Sequence, residues 1–336
     1  MTPIELDLPA LSLESGPAVD PHHVSGFAWG REDGPAVLVI HALTGNAQAA
    51  LEGGWWFPMI GEGSPIDTHQ YRVLCFNNLG SCYGTSGPGV QGFPMIDGLP
   101  AAVTPWDMAR SIAMALDALG VSQLHLVTGG SLGAMVTLCL ARMLGTRVER
   151  IAPIAGCEAA SPWIIGFNHV ARQLILDATD RQRGLELARQ LAMLTYRAEP
   201  GLTQRHGRRQ RHSAGHDARS WRADLPYQVQ SYLDHQGRKL AQRFAPEAYL
   251  CQLGAMDHHD LERQGGAITA STLAVGIDSD QLFFPVHMRR LVERLRLRVP
   301  VAEYAEISSL HGHDGFLIEW DQLGPILRQA LALELE

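Results

Sequence analysis

Cysteine is scarce and scattered in this chain of 336 residues. The cysteines are odd in number and form no CxxC pair: Cys75, Cys82, Cys139, Cys157 and Cys251. This pattern argues against a disulfide framework and against a zinc site. We therefore expect a reducing compartment, the cytoplasm, and no bound metal.

Long hydrophobic runs are also missing, and none approaches the roughly 20 residues that a membrane helix needs. The opening segment, residues 1–16, is acidic and lacks the basic and apolar regions of a secretory signal. Positive charge is not in excess, because the formal net charge is −8. We expect neither a membrane nor a nucleic acid as a partner.

The sequence does contain enough apolar material for a sizeable core, with 46% apolar and 18% charged residues. Short apolar runs, typical of strands buried on both faces, lie at 36–40, 72–76, 124–128, 151–155 and 273–277. The clearest helix between them begins with Thr104 as N-cap, Pro105 at the first position and Asp107 in the first turn. The alternation predicts an α/β fold with a mostly parallel sheet covered by helices on both faces.

This alternation breaks off after the fourth strand. Residues 161–265 show helical stretches and no good strand, and the alternation resumes afterwards. We predict a core formed by residues 1–160 and 266–336, interrupted by a helical insertion, residues 161–265, called the lid below. The lid includes an Arg- and His-rich tract, residues 205–222, which is interpreted either as a solvated loop or as a phosphate-binding surface.

A GxSxG motif follows the third predicted strand, at 129–133, and a helical stretch follows the motif. This arrangement is typical of a nucleophile elbow, in which a strained turn exposes the serine hydroxyl at the sheet edge. Ser131 is therefore the candidate nucleophile. The backbone N–H of Leu132, at the start of the helix, is a candidate oxyanion donor.

A serine hydroxyl needs a base, and the base needs an orienting acid. With such an elbow the chain order is serine, acid, histidine. Asp278 and Asp280 both follow the fifth strand, while His311 and His313 both follow the strand-like stretch 301–307. Spacing alone does not choose within either pair.

The second oxyanion donor is expected in the loop after an early strand. Strand 36–40 runs into His41-Ala42-Leu43-Thr44-Gly45-Asn46, which suits this position, and Leu43 is the candidate donor. The alternative interpretation is an ordinary polar turn.

Taken together, these stretches resemble the homoserine O-acetyltransferase family, acyltransferases of the α/β-hydrolase superfamily. The resemblance rests on segments in the family's order: 41–45, 54–56, 66–68, 78–88, 129–133, 166–168, 194–197, 231–233, 255–257, 279–283 and 312–317. It covers roughly residues 36 to 320, and it implies an α/β-hydrolase fold with an inserted helical lid.

The resemblance also implies roles for individual residues. It selects Asp280 and His313 for the catalytic triad, assigns Arg197 to the carboxylate of the amino-acid acceptor and assigns Asp314 to its ammonium. Succinyl-CoA users carry arginine two residues after the triad aspartate, where this chain has Leu282, so acetyl-CoA is the expected acyl donor. Coenzyme A thioester is then a substrate, and no bound cofactor is expected.

The function implied is acetyl transfer from acetyl-CoA to L-homoserine by a ping-pong mechanism, a step of methionine biosynthesis, in a cytoplasmic homodimer joined through the lid. The alternatives are the same triad with succinyl-CoA, with serine or another alcohol as acceptor, or an esterase or thioesterase that uses water. A non-catalytic ligand-binding relative is disfavoured because all three triad residues are present.

Overall fold

The computed structural model describes residues 1–209 and 227–335. Its largest sheet has eight strands in the order β1-β4-β8-β5-β11-β12-β13-β14, and all pairs from β8 to β14 are parallel. Their bounds are β1 Thr2–Leu8, β4 His22–Gly30, β5 Ala36–Ile40, β8 Arg72–Phe76, β11 Leu126–Gly130, β12 Arg150–Ile154, β13 Ser271–Ile277 and β14 Ala302–Ile307. The remaining short strands are β2 Leu11–Ser12, β3 Ala18–Val19, β6 Ile60–Gly61, β7 Ile66–Asp67, β9 Met95–Ile96 and β10 Leu99–Pro100.

The predicted parallel strands are present, with small shifts in their bounds. The third runs over Leu126–Gly130 and not 124–128, because its ladder extends to the elbow, where Gly129 pairs with Ile40 and Gly130 with Ile154. The antiparallel strands β1 and β4 at one sheet edge were not predicted. Exposed and more buried residues roughly alternate along β1, and such alternation is a weaker signal for a strand than a continuous apolar run.

Helices cover both faces of the sheet. In chain order they are α1 Pro105–Ala118, α2 Leu132–Leu144, α3 Pro162–Leu176, α4 Arg181–Tyr196, α5 Glu199–His206, α6 Gln228–Ala241, α7 Pro246–Asp257, α8 Pro285–Leu295 and α9 Trp320–Leu331. Within β5, Leu38 and Ile40 join the apolar cluster that contains α1, α2 and α8, while Val37 and Val39 join the cluster that contains α9. Successive side chains of a strand point to opposite faces, so these clusters are the two halves of the core.

The start of α1 follows the sequence prediction. Thr104 is the N-cap, its side chain accepts a hydrogen bond from the Asp107 N–H, and the Asp107 carboxylate accepts one from the Thr104 N–H. Two backbone donors of the first turn are thereby satisfied, which is the reason a capping box fixes where a helix begins.

The lid segment contributes α3 to α7, inserted between β12 and β13. In it α4 packs against both α3 and α6. The division into core and lid stays a prediction, although within the described residues no strand longer than an isolated bridge lies between 161 and 265. Among the described helices, none has the length and apolar character required to cross a membrane.

Candidate active site

Ser131 stands at the sharp turn between β11 and α2. Its backbone has φ +60° and ψ −124°, a conformation that side-chain-bearing residues rarely adopt, and its N–H is held by a 2.9 Å hydrogen bond to the Ile154 carbonyl. A Cβ atom at Gly129 would lie 2.5 Å from the Ile40 carbonyl oxygen, and one at Gly133 only 2.3 Å from it. The two outer glycines of the motif are therefore required by packing against β5.

Asp280 and His313 meet beyond the carboxyl ends of β13 and β14. Nδ1 of His313 lies 2.6 Å from Oδ2 of Asp280, and both side chains are buried. The other carboxylate oxygen, Oδ1, accepts the N–H groups of Leu282 and Phe283 at 2.8 and 2.9 Å. This fixes the carboxylate and, through it, the orientation of the imidazole.

The structure separates the two competing pairs. Asp278 is exposed and accepts hydrogen bonds from the Ser308 hydroxyl and the Ser309 N–H, so it supports the loop that leads to the histidines. No carboxylate among the described residues contacts the ring of His311. Geometry thus brings Asp280 and His313 together, the pair that the family resemblance selects.

Three aromatic rings surround the His313 imidazole. Phe283 is stacked on it at 5.0 Å between centroids, Phe316 meets it edge-on at 5.7 Å, and Tyr196 of the lid lies 5.7 Å away. Within the described residues, Nε2 of His313 is buried and has no hydrogen-bond partner, Ser131 included. Because catalytic hydrogen bonds often tighten only when substrate binds, this geometry is compatible with Nε2 acting as a base.

The pKa of His313 results from two opposing influences. Burial lowers it, whereas the charge of Asp280, the hydrogen bond to Asp280 and the charge of Asp314 raise it, and the net result lies above the ordinary value of 6.5. The carboxylates stabilise the imidazolium that forms when the histidine takes a proton. This environment suits a general base.

The two candidate oxyanion donors follow neighbouring parallel strands. Strand β5, which ends shortly before Leu43, pairs with β11, which ends shortly before Leu132. Neither backbone N–H donates to another described residue. Backbone donors left free in this way are what an oxyanion would require.

His41 and Asn77 anchor the loop that carries Leu43, and sequence reasoning gave neither a role. Nε2 of His41 accepts the Asn78 N–H at 3.0 Å, and Nδ1 lies 2.8 Å from the Ala42 carbonyl. Burial lowers the pKa of His41 to about 4, so the ring is neutral and rigidly oriented at physiological pH. The Asn77 side chain accepts the Ala47 N–H at 2.7 Å. Sequence offers no signal for the contact between Asn77 and Ala47, because the two residues lie 30 positions apart.

The remaining predicted residues lie where lid and core meet. Arg197 directly follows α4, and its Nε is 3.1 Å from Oδ2 of Asp314, beside His313. Leu282 is 3% exposed and lines a small apolar cavity of about 20 Å³ together with lid residues that include Tyr196 and Tyr249. Arg197 and Asp314 therefore lie near His313, and Leu282 is the neighbour of Phe283, whose ring stacks on the His313 imidazole.

Comparison with known proteins decides the family. A sequence profile described as alpha/beta hydrolase fold matches residues 35–316. The homoserine O-acetyltransferase of Moorella thermoacetica is 36% identical, and the alignment covers 96% of this chain and 93% of that protein.

The chain belongs to the homoserine O-acetyltransferase family.

A solved homoserine O-acetyltransferase from Staphylococcus aureus superposes with a TM-score of 0.82 at 29% identity, covering 99% of this chain and 96% of the other. The esterase E22 superposes equally well, with a TM-score of 0.83 at 20% identity and coverage of 98% and 99%. At that identity the likeness shows the fold alone. These comparisons confirm the predicted family and the predicted α/β-hydrolase fold. They also confirm that the chain is an enzyme like the homoserine O-acetyltransferases. The roles of single residues stay predictions.

Two other predictions for this member of the homoserine O-acetyltransferase family concern the Arg- and His-rich tract and the lack of a metal site. Of the Arg- and His-rich tract, residues 210–222 lie outside the described residues, and Arg205 packs its guanidinium over the Tyr232 ring of α6 at 5.4 Å. No group of three potential metal ligands exists among the residues described. His259 is buried, and its Nε2 lies 2.8 Å from the Cys157 carbonyl oxygen.

Proposed function

We propose that this chain transfers an acetyl group from acetyl-CoA to the hydroxyl of L-homoserine through an acyl-enzyme on Ser131. The single observation that carries the proposal is the buried pair of His313 and Asp280, 2.6 Å apart, in a chain whose Ser131 is held at φ +60° in the turn between β11 and α2. The choice of substrates is supported by the family relationship, since the relatives from Moorella thermoacetica and Staphylococcus aureus are homoserine O-acetyltransferases.

In the first half-reaction, Nε2 of His313 removes the proton of Ser131 as the hydroxyl oxygen attacks the thioester carbonyl. Asp280 holds Nδ1 and stabilises the imidazolium. The N–H groups of Leu43 and Leu132 stabilise the oxyanion, a contribution worth about 10²–10³ in rate for each donor. The imidazolium then protonates the departing thiolate, and coenzyme A leaves.

In the second half-reaction the homoserine hydroxyl attacks the ester on Ser131. His313 is again the base, and its imidazolium returns the proton to Oγ of Ser131 as the tetrahedral intermediate collapses. This releases O-acetylhomoserine and regenerates Ser131. In the proposed complex Arg197 binds the acceptor's carboxylate and Asp314 binds its ammonium. Their mutual distance of 3.1 Å supports this assignment, because a zwitterion needs opposite charges close together in a desolvated site.

The acetyl donor is supported by Leu282. Its side chain is buried among apolar lid residues and offers no partner to a succinyl carboxylate. An unpaired charge placed there would be expensive, whereas a methyl group would not. The lid itself would exclude water from the ester during transfer.

A matrix of acetyl-CoA and succinyl-CoA against homoserine and serine, followed by thiol release, tests the proposal. We expect rapid release with acetyl-CoA and homoserine and a burst of thiol equal to the number of active sites without acceptor. Ser131→Ala is the control for background hydrolysis. Equal steady-state release with and without homoserine would instead assign the chain as a thioesterase.

The quaternary structure proposed is a homodimer joined through the lid, with small molecules as the only other partners. Helix α3 exposes Trp163, Ile165 and Val170 by 50%, 39% and 47%, which would be covered in such a dimer. Sedimentation or light scattering tests this. A monomer would contradict it, and Val170→Glu should weaken the dimer if it exists.

A further inference from the structure

The loop that carries His313 touches the lid backbone to backbone. Gly312 has φ +65°, and a Cβ atom there would lie 2.7 Å from the Ala198 nitrogen. On the lid side, a Cβ atom at Gly201 in α5 would lie 2.2 Å from the Leu310 carbonyl oxygen. The two glycines therefore allow a contact that any side chain would prevent.

Side chains reinforce this contact at both ends. Tyr196 places its ring 5.7 Å from the His313 imidazole, and Arg197 forms the ion pair with Asp314. The lid segment 196–201 thus meets the loop 310–314 at both of its ends, through residues 196–198 and through Gly201. Among the described residues, His313 is held by Asp280, Phe283 and Phe316 from the core and by this segment from the lid.

We propose that Gly201 is a positioning residue for His313, because its lack of a side chain lets the lid seat the histidine loop at the distance catalysis needs. The proposal rests on the function proposed above only in assigning His313 as the base. It adds that the lid does more than exclude water: it sets where the base stands.

A side chain at position 201 would come too close to the Leu310 carbonyl oxygen. Real Cβ atoms essentially never approach another heavy atom closer than 3.0 Å, and the obstacle here is a backbone carbonyl that cannot rotate away like a side chain. An alanine at 201 must therefore push α5 and Leu310 apart, and His313 is three residues further along the same loop. Catalytic groups have to be held to within about 0.5 Å, and a misplacement of about 1 Å can cost 10²-fold in rate.

Gly201→Ala is a clean probe because Gly201 has no positive φ and lies inside a helix, where alanine has the higher propensity. Any loss must then come from the contact and not from the helix. Gly254→Ala is the matched control: it makes the same change inside lid helix α7, and a Cβ atom there would meet nothing within 4 Å.

The first measurement is the rate constant for labelling of Ser131 by a fluorophosphonate, which needs His313 but neither coenzyme A nor an acceptor. We expect Gly201→Ala to lower it about tenfold or more and Gly254→Ala to leave it unchanged. The final extent of labelling measures the fraction of molecules that are folded, and it is independent of the rate constant. The second measurement is the share of acyl-enzyme lost to water in the presence of homoserine, which should rise only in Gly201→Ala.

Wild-type labelling and transfer rates in Gly201→Ala would overturn the proposal and leave the proposed function intact. Absence of transfer in the wild-type chain would refute the function, while labelling would still test the position of the base. Tyr196→Leu probes the same contact without adding an atom to it, so it serves if Gly201→Ala does not fold. We expect it to lower the labelling rate constant as well, and an unchanged rate would count against the proposal.

Discussion

Arg197 of the lid and Asp314 of the core contact each other at 3.1 Å, with side chains only 18% and 13% exposed. Nε of Arg197 is close enough for an ion pair, yet it has no well-aligned hydrogen bond to any described residue. Since each charge is the other's neighbour, an acceptor that carries both signs could engage both groups. The pair also joins the lid to the residue next to the base.

Replacing Arg197 with methionine removes the guanidinium but keeps much of the apolar stem. We expect the KM for homoserine to rise about tenfold or more, in line with the loss of a charge-assisted hydrogen bond. The burst of thiol from acetyl-CoA alone should stay at the wild-type amplitude, because the donor half-reaction does not use the acceptor site. Loss of the burst would show that Arg197 supports the acylation step instead.

Ser131→Ala should abolish both the burst and covalent labelling, and it should reduce turnover by at least about 10³-fold. A thermal melt close to that of the wild-type chain would show that the fold survives. Turnover at the wild-type rate would contradict an acyl-enzyme on this residue.

Asp280→Asn and Asp278→Asn form a matched pair two residues apart. The first leaves His313 without the carboxylate that fixes its tautomer, and we expect turnover to fall about 10⁴-fold, the size seen when a serine protease loses this group. Asp278 only supports Ser308 and Ser309, so Asp278→Asn should change turnover by less than about tenfold. Steady-state kinetics of both variants measure the difference. Equal losses would contradict the assignment of Asp280, and a larger loss for Asp278→Asn would reverse it.

The pH dependence follows from the raised pKa of His313. Acylation needs the neutral imidazole, so its rate should fall as the pH drops through a midpoint above 6.5. Asp314→Asn removes one of the charges that raise the pKa, and the midpoint in kcat/KM for acetyl-CoA should therefore move to lower pH. A midpoint that does not move would show that Asp314 has no influence on the base.

The same pKa shift makes stability depend on pH in the opposite direction from activity, because it stabilises the fold at low pH. Because the folded-state pKa of His313 lies above its unfolded value, the stabilisation is fully present below about pH 6.5 and is lost as the pH rises through the folded-state pKa. Thermal melts of the wild-type chain and His313→Gln across this range should converge as the pH increases.

Leu282→Arg tests the choice of acyl donor. We expect the ratio of kcat/KM for succinyl-CoA over acetyl-CoA to rise at least about tenfold, since the new guanidinium can pair with the succinyl carboxylate. Leu282→Met, which conserves volume, is the control and should leave the ratio unchanged. A fall in both activities without a change in their ratio would show that this position does not contact the acyl group.

The sequence by itself determined the parallel strands, the start of α1 and the elbow, because each of these depends on local patterns. The run 36–40 is buried at every position, and Thr104 with Asp107 forms a complete capping box. The backbone of Ile40 lies so close to positions 129 and 133 that only glycine fits there. Both glycines therefore stand in the sequence as part of the GxSxG motif. The family resemblance added the choice of Asp280 and His313, which spacing left open.

Only the tertiary structure decided which groups face one another. His41 and Asn77 hold the Leu43 loop through contacts between segments 30 or more residues apart. Three contacts join the lid to a loop more than 100 positions further along the chain: Tyr196 with His313, Arg197 with Asp314, and Gly201 with Leu310. Such contacts depend on how layers pack around the sheet, and no local pattern of residues encodes the distance between two distant segments.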